Sequence, residues 1–303
     1  MVDVSMNENE EKTGYIGIVG KPNAGKSTLL NHLIGQKLCI TSRKPQTSRH
    51  NILGIKQVHN CQLIFIDTPG MHEDQVTKLN KIMNKSAKNT IIDADIVLFV
   101  LDRLDWDSKD KYVVKHLKKI NRPIICVLNK VDLIKDKNLI LPHIEKLRNI
   151  FENVTIVPIS ALKKRNLGTL EDEIITRLPC KPNFFPRDQI SDRSERFFCA
   201  EIVREKVIRQ LGKELPYQTS VDIERFEVKG NVTFIDACVF VERQSQKKII
   251  IGERGQKLKN IGQAARIDIE KFIQCRVMLN VWIKVRNGWS NNEDILKSLS
   301  FEI

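Results

Sequence analysis

Along the first 180 residues, short and almost uniformly apolar runs alternate with longer segments whose apolar positions recur every three or four residues. The runs lie at 15–19, 61–66, 96–101, 123–128 and 154–159. Runs of this length without polar alternation predict strands covered on both faces, as in a parallel sheet between layers of helices. Helical spacing follows the first run and returns at 80–92, 112–120, 139–151 and 167–178. One further run, 52–58, is separated from 61–66 only by His59 and Asn60, which predicts a hairpin. The expected architecture is α/β, a doubly wound and mainly parallel sheet spanning 14–179, with ligand-binding residues at the carboxyl ends of its strands. Residues 1–13 carry almost nothing to bury and predict a disordered lead-in. Residues 37–51 are polar and basic without periodicity, which predicts a mobile loop.

Near residue 180 the pattern breaks. Pro179, Pro182 and Pro186, with Phe184 and Phe185, predict a linker at 180–190 whose prolines stop the preceding helix. A smaller α+β unit is expected over 191–303. It would hold a helix at 193–211 with an apolar stripe through Phe197, Ala200, Val203, Val207 and Leu211, stopped by Gly212. Strands at 221–228 and 232–242, a glycine loop, a helix at 256–272, a strand at 276–285 and a short tail helix would follow.

The 50 Lys and Arg against 37 Asp and Glu give a formal charge of +13. This favours an acidic partner, RNA or the surface of a membrane, and the second leaves room for weak association with the inner face of the cell membrane. The same excess would also arise from coding bias alone. Seven scattered cysteines without a C-x-x-C pair argue for reduced thiols rather than disulfides or zinc. The polar, acidic start resembles neither a signal nor a transit peptide, and no apolar run approaches the ~20 residues that span a bilayer. A cytoplasmic protein is expected.

The chemistry sits at the predicted strand ends. After the first run comes Gly20-Lys21-Pro22-Asn23-Ala24-Gly25-Lys26-Ser27-Thr28, a glycine loop opening a helix. Its backbone N–H groups and the helix N-terminus suit an anion, Lys26 reaches outer phosphates and the Ser27 hydroxyl suits magnesium. Asp67-Thr68-Pro69-Gly70 follows the 61–66 strand, placing Asp67 to hold magnesium through water and the Gly70 N–H near a terminal phosphate. Asn129-Lys130-Val131-Asp132 ends the 123–128 strand. There Asp132 can accept from the ring N–H and exocyclic amine of guanine, a donor pair that adenine lacks, while Lys130 lies along the base. Ser160-Ala161-Leu162 would supply a backbone N–H to the guanine oxygen. Met71 occupies the position of the glutamine that orients water in Ras-type enzymes, and a thioether has no donor for that task. Slow intrinsic hydrolysis follows, with Met71 expected to pack beneath the loop.

These motifs, with Lys44-Pro45-Gln46-Thr47-Ser48-Arg49-His50 and Val157-Pro158-Ile159-Ser160-Ala161, resemble the translation-factor-like GTPases and, within them, the Era family. The resemblance extends over nearly the whole chain, because Ile251-Gly252-Glu253-Arg254-Gly255-Gln256-Lys257-Leu258-Lys259 is similar to the loop of a KH domain of the bacterial type. Such a loop clamps single-stranded backbone. From Lys247 and Lys248 to Arg286, ten basic residues stand against three acidic ones.

The resemblance implies GTP/GDP and Mg2+ as cofactors, and a slow GTPase with Lys26, Thr47, Ser48 and Gly70 at the reacting phosphate. In that family a hydroxyl before the second strand binds magnesium when GTP is present, here Thr47 or Ser48. The implied partners are small-subunit ribosomal RNA near its three-prime end and the small ribosomal subunit, bound by a monomer acting in assembly or maturation. Two other readings stand beside it: a signalling GTPase whose second unit docks on a protein or membrane, and a binding module that uses GTP only structurally.

Overall fold

The computed structural model describes residues 11–42, 44, 47–71, 78–104, 106–151, 154–210, 219–292 and 296. Ten residues of the expected lead-in, Pro45 and Gln46 of the loop, the Gly212 helix stop and nearly all of the tail helix lie outside them.

A six-stranded sheet runs in the order β2-β3-β1-β4-β5-β6, built from β1 (Lys12–Val19), β2 (Ile52–Val58), β3 (Cys61–Asp67), β4 (Ile96–Asp102), β5 (Ile124–Asn129) and β6 (Thr155–Pro158). All pairings are parallel except the predicted β2–β3 hairpin. The helices are α1 (Lys26–Ile34), α2 (Lys78–Asp93), α3 (Ser108–Leu117), α4 (Ile140–Ile150) and α5 (Leu167–Arg177). The all-apolar β4 shows why such a strand needs no polar face. Ile96, Leu98 and Val100 point into a core with α1 and α5, whereas Val97, Phe99 and Leu101 point into one with α2, α3 and α4.

β1 begins at Lys12, inside the segment expected to be disordered. Composition there offers little to bury, but backbone pairing does not depend on it. Lys12 and Thr13 stand opposite Cys61 and Gln62, and Thr13 N–H donates to the Pro179 carbonyl at 3.1 Å.

A second, three-stranded sheet of β7 (Thr219–Lys229), β8 (Val232–Val241) and β9 (Arg276–Val285) pairs β7–β8 antiparallel and β8–β9 parallel. Against it lie α6 (Glu195–Gln210), α7 (Gln244–Ile251), a helix ahead of the glycine loop that sequence reading did not separate, and α8 (Gln256–Ile273). The apolar stripe of α6 packs where expected, through Val203 and Val207. Four of its charged residues do not face water: Glu201, Arg204, Glu205 and Lys206 are buried. Arg204 and Glu205 meet the first unit: Arg204 donates to the Thr47 carbonyl, Lys37 Nζ is 2.6 Å from Glu205, and Thr41 N–H donates to the same carboxylate at 3.0 Å, while Lys206 pairs with Asp268 of α8.

The linker is strapped down. Gln62 accepts from the N–H groups of Phe184 and Phe185 and donates to the Phe185 carbonyl, Phe184 stacks on Tyr15, and Ile55 N–H on the edge strand β2 donates to Ile190. Leu79 and Met83 of α2 close the far side of the contact between units against Cys238, Phe240 and Trp289. No described helix is long and apolar enough to cross a membrane.

Candidate functional site: a nucleotide pocket and an RNA groove

Between β1 and α1 the chain turns through Gly20 and Gly25 at φ values of 153° and 103°. Space forbids a side chain as firmly as conformation does. A Cβ on Gly20 would stand 2.4 Å from the Val100 carbonyl oxygen, and one on Gly25 would stand 2.2 Å from Asn129 Nδ2. Lys26 arches back over the loop, donating to the carbonyls of Gly20 and Lys21 at 3.0 Å each. Burial pushes its ammonium down to about 8, with Asp67 opposing. Lys21, predicted beside it, sends its side chain elsewhere, to Asp110 at 2.7 Å and Asp107 at 3.2 Å at the start of α3. Only its backbone remains for a phosphate. Gly70 lies flat on Pro22, where a Cβ would meet ring and backbone at 2.8 Å.

Three oxygens converge below Lys26. The Ser27 hydroxyl donates to Asp67 Oδ2 at 2.7 Å and stands 2.7 Å from the Ser48 hydroxyl. Asp67 is wholly buried, and its other oxygen, Oδ1, has no hydrogen-bond partner. Burial raises its pKa, while Lys26, the two hydroxyls and the buried Cys39 thiol pull the other way. A buried carboxylate with an unsatisfied oxygen beside two hydroxyls is a hard-donor set suited to magnesium. Of the two candidate hydroxyls it is Ser48 that joins this group. Thr47 Oγ1 instead donates to the Lys44 carbonyl at 2.7 Å and lies 2.7 Å from Ser42. Thr68 Oγ1 ties the strand end to the Ile18 carbonyl at 2.8 Å, and Pro69 continues the turn. The Met71 side chain is wholly buried among Val19, Ala87, Ile91 and Phe99, so of this residue only the backbone can meet a nucleotide.

Asn129 braces the far end. Its Nδ2 donates to the Ala24 carbonyl at 2.9 Å, and its Oδ1 accepts from the N–H groups of Lys130 and Ala161 at 2.8 and 2.9 Å. One buried side chain thus joins the glycine loop, the end of β5 and the turn after β6. Of the 160–162 turn expected to offer guanine a backbone N–H, the Ala161 N–H is thus bonded to Asn129. Ser160 Oγ holds Asp132 Oδ1 at 2.5 Å, which aims the carboxylate, and Val131 N–H donates to Ile159. Lys130 Nζ bridges the Asn23 carbonyl and Asp102 at 2.8 and 2.7 Å. The resulting pocket of about 990 Å³ is lined by Lys26, Ser27, Thr28, Ser48, Gly70, Lys130 and Leu162. Thr41, Lys44 and, from α6, Arg209 also line it. Asp102 and Arg209 had no motif to announce them. The clue for Asp102 is a carboxylate closing an apolar strand; Arg209 lies 168 residues from its partner Thr41.

In the second unit, Gly252, Arg254 and Gly255 all have positive φ, at 72°, 48° and 77°. The loop exposes Glu253 and Arg254 and leads into α8. Beside it a groove of about 730 Å³ runs between α8 and β9, lined by Gly255, Leu258, Lys259, Gly262, Gln263 and Arg266 and by Leu279 to Trp282. Its lining mixes apolar residues (Leu258, Leu279, Val281 and Trp282) with basic ones (Lys259 and Arg266), a combination that accepts stacked bases along a phosphate chain. Lys247 and Lys248 lie on α7 and do not line it, Ile251 packs inward, and Lys257 supports Gly252 from beneath. The apolar part of this lining was missed because its residues read simply as core-facing positions of a helix and a strand.

The described "50S ribosome-binding GTPase" family matches residues 15–130, and the KH domain family matches 214–290. GTPase Era of Marinobacter nauticus is 51% identical over 300 residues, covering 99% of this chain and 98% of its own. GTPase Era of Azotobacter vinelandii is 52% identical over 294 residues, covering 97% and 98%. The crystal structure of Era in complex with MgGDPNP and nucleotides 1506–1542 of 16S ribosomal RNA superposes with a TM-score of 0.93 at 38% identity, covering 97% of this chain and all (100%) of that one. A variant of Aquifex aeolicus Era bound to GDP·AlF4− gives 0.93 at 37%, covering 96% and 100%. With half of its residues identical to these relatives over nearly its whole length, and a phosphate loop and a KH unit on one chain, the protein belongs to the Era family of GTPases.

Proposed function

We propose that the chain is a magnesium-dependent GTPase switch whose second unit binds small-subunit ribosomal RNA near its three-prime end, acting in assembly or maturation of that subunit. The observation that carries it is the coexistence of the Ser27–Ser48–Asp67 cluster and the KH groove, in a fold shared with an Era bound to both MgGDPNP and a 16S fragment. The functional division is a GTPase unit that starts with β1 at Lys12, rather than at the expected 14, and runs to 179, a linker at 180–190 and an RNA-binding unit at 191–303.

Ser27, Ser48 and, through water, Asp67 would hold magnesium, which when bound neutralises charge on the outer phosphates. Lys26 adds a fixed positive charge there, and its lowered pKa reflects a burial that an incoming polyphosphate would offset. The Gly70 N–H faces the terminal phosphate. Asp132 and Lys130 select guanine, and the Ser160-Ala161-Leu162 turn closes the pocket over the base, with Leu162 in its lining. Met71 supplies no donor for the attacking water, so unstimulated turnover is slow. In the second unit the Gly252–Gly255 backbone meets the RNA chain, with Lys257, Lys259 and the groove beyond it.

The protein works as a cytoplasmic monomer. Any contact with the inner membrane face is weak and electrostatic, and flotation with anionic vesicles that persists above physiological salt would contradict this. Crosslinking in cells followed by sequencing of the attached RNA should recover the three-prime end of the small-subunit RNA. Reads spread over unrelated transcripts, or none above background, would remove the assignment.

A further inference from the structure

Ser48 reaches the oxygen cluster of the GTPase unit, yet both its neighbours in sequence are held from the RNA-binding unit. The Thr47 carbonyl accepts from Arg204 Nη2 of α6 at 2.6 Å, and Arg49 Nη1 donates to the Thr219 carbonyl at the start of β7 at 2.7 Å. Arg204 is itself gripped as a planar fork by Glu201, one turn earlier on α6, through Nε at 2.7 Å and Nη2 at 2.6 Å. Glu201, Arg204 and Arg49 are 6%, 2% and 3% exposed.

Two guanidiniums buried around one carboxylate are a poor way to gain stability, because desolvation cancels most of the attraction and an apolar cluster of equal volume would hold the units as well. What the arrangement supplies is direction. A planar fork locked by Glu201 can aim one N–H at one backbone carbonyl with little rotational freedom. That carbonyl belongs to the peptide that carries Ser48. The adjacent face of α6, through Val203 and Val207, packs into the core shared with Ile261, Ala265 and Ile269 of α8, the helix that walls the RNA groove. A single helix therefore touches the backbone beside the metal hydroxyl and the helix beside the RNA.

We propose that Arg204, oriented by Glu201, is a positioning residue for GTP hydrolysis. Through the Thr47 carbonyl it sets the Ser48 hydroxyl against Ser27 and Asp67, so that the metal site of the GTPase unit is completed by the RNA-binding unit. The proposal rests on Ser48 being the magnesium hydroxyl.

The test is single-turnover GTP hydrolysis by the full chain across a range of Mg2+ concentrations, for the parent, Arg204→Ala, Arg204→Lys, Ser48→Ala and the Ser48→Ala/Arg204→Ala double variant. Supporting partners of metal ligands typically matter by about 10- to 100-fold, so Arg204→Ala should raise the Mg2+ needed for half-maximal hydrolysis within that range. GDP affinity should stay within about threefold, and the double variant should be no worse than Ser48→Ala alone, since both changes act through one hydroxyl. Arg204→Lys keeps the buried charge opposite Glu201 and should show a smaller rise. Multiplying effects in the double variant, or parental Mg2+ dependence in Arg204→Ala, would overturn the proposal. So would loss of GDP binding in step with hydrolysis in both arginine variants, which would mark a packing role. If Ser48→Ala alone keeps the parental Mg2+ dependence while Arg204→Ala shifts it, the assignment of Ser48 fails instead.

Discussion

The chain uses a glycine loop ahead of a helix twice, and the two loops are built on different physics. In the nucleotide loop, Gly20 and Gly25 are pressed by groups from other strands, the Val100 carbonyl and Asn129, so both conformation and space demand glycine. In the RNA loop, Gly252 is crowded only by Lys257 five residues on, and Gly255 has nothing within 4 Å of where a Cβ would stand. The first loop is a socket braced by tertiary structure and shaped for one ligand. The second is a local turn standing into solvent, suited to a backbone of varied sequence. The lesson is that a glycine signature reports backbone shape, whereas how rigidly that shape is held depends on what packs behind it.

The largest effect is expected where the bracing is tightest. Gly25→Ala combines an unfavourable φ with a collision against Asn129, and strain of this kind, of about 1–3 kcal/mol, should weaken nucleotide binding by up to about 100-fold. Titration with a fluorescent GDP measures it; affinity within about threefold of the parent would show that the Asn129 brace is dispensable. Asp132→Asn should turn guanine preference toward xanthine by at least about 100-fold, because Ser160 still holds Oδ1 and the new amide faces the base. Equal losses for both bases would contradict the carboxylate's role.

The contact between the two units should respond to acid. Burial, with Arg204, Arg193 and Arg49 adding and Glu201 opposing, pushes His50 down to about 4 from 6.5. Below 6.5 the unfolded chain binds the proton that the folded chain refuses. Stability from neutral His50 is therefore complete above 6.5 and is lost progressively as the pH falls to 4, by about 2 kcal/mol after solvent screening. His50→Gln should flatten denaturant midpoints across that window; an unchanged slope would count against the burial of His50 as its cause.

The RNA loop should give smaller and graded losses. Gly252→Ala adds a contact of 2.5 Å with Lys257 to its backbone strain, whereas Gly255→Ala carries strain alone. Gly255→Ala should therefore cost about 1 kcal/mol of RNA binding, roughly fivefold, and Gly252→Ala more. The reverse order in a filter-binding or anisotropy assay would mean that the loop is braced by something other than Lys257. Smallest at a fixed low salt, Lys257→Gln with Lys259→Gln should reduce the slope of log affinity against log salt by about 1.4 while leaving base preference intact. A changed preference would place one of these lysines on a base edge.

Most of the molecule was legible in the chain because its signals are local. The all-apolar β4 requires cover on both faces, the His59–Asn60 turn sets the β2–β3 hairpin, and a loop ending in Gly25-Lys26-Ser27 specifies a phosphate socket wherever it follows a strand. What escaped reading involved partners distant in sequence. Lys21 looks like a phosphate ligand until Asp107 and Asp110 at the start of α3 come within reach. Thr47 and Ser48 are adjacent hydroxyls that only the path of the folded loop separates into two roles.

By itself, then, the order of residues determined the elements, the two units and the ligand class, since strand cover, helix periodicity and loop conformation are decided within a few residues of each position. Tertiary structure alone decided the character of α6. Helical periodicity marks Glu201, Arg204 and Glu205 only as positions off the apolar stripe; they are buried because the second unit docks there, with Arg204 and Glu205 clasping Lys37, Thr41 and Thr47. Whether a charge meets water or a carbonyl depends on the surface that arrives opposite it, and helical periodicity carries no information about a surface more than 150 residues away.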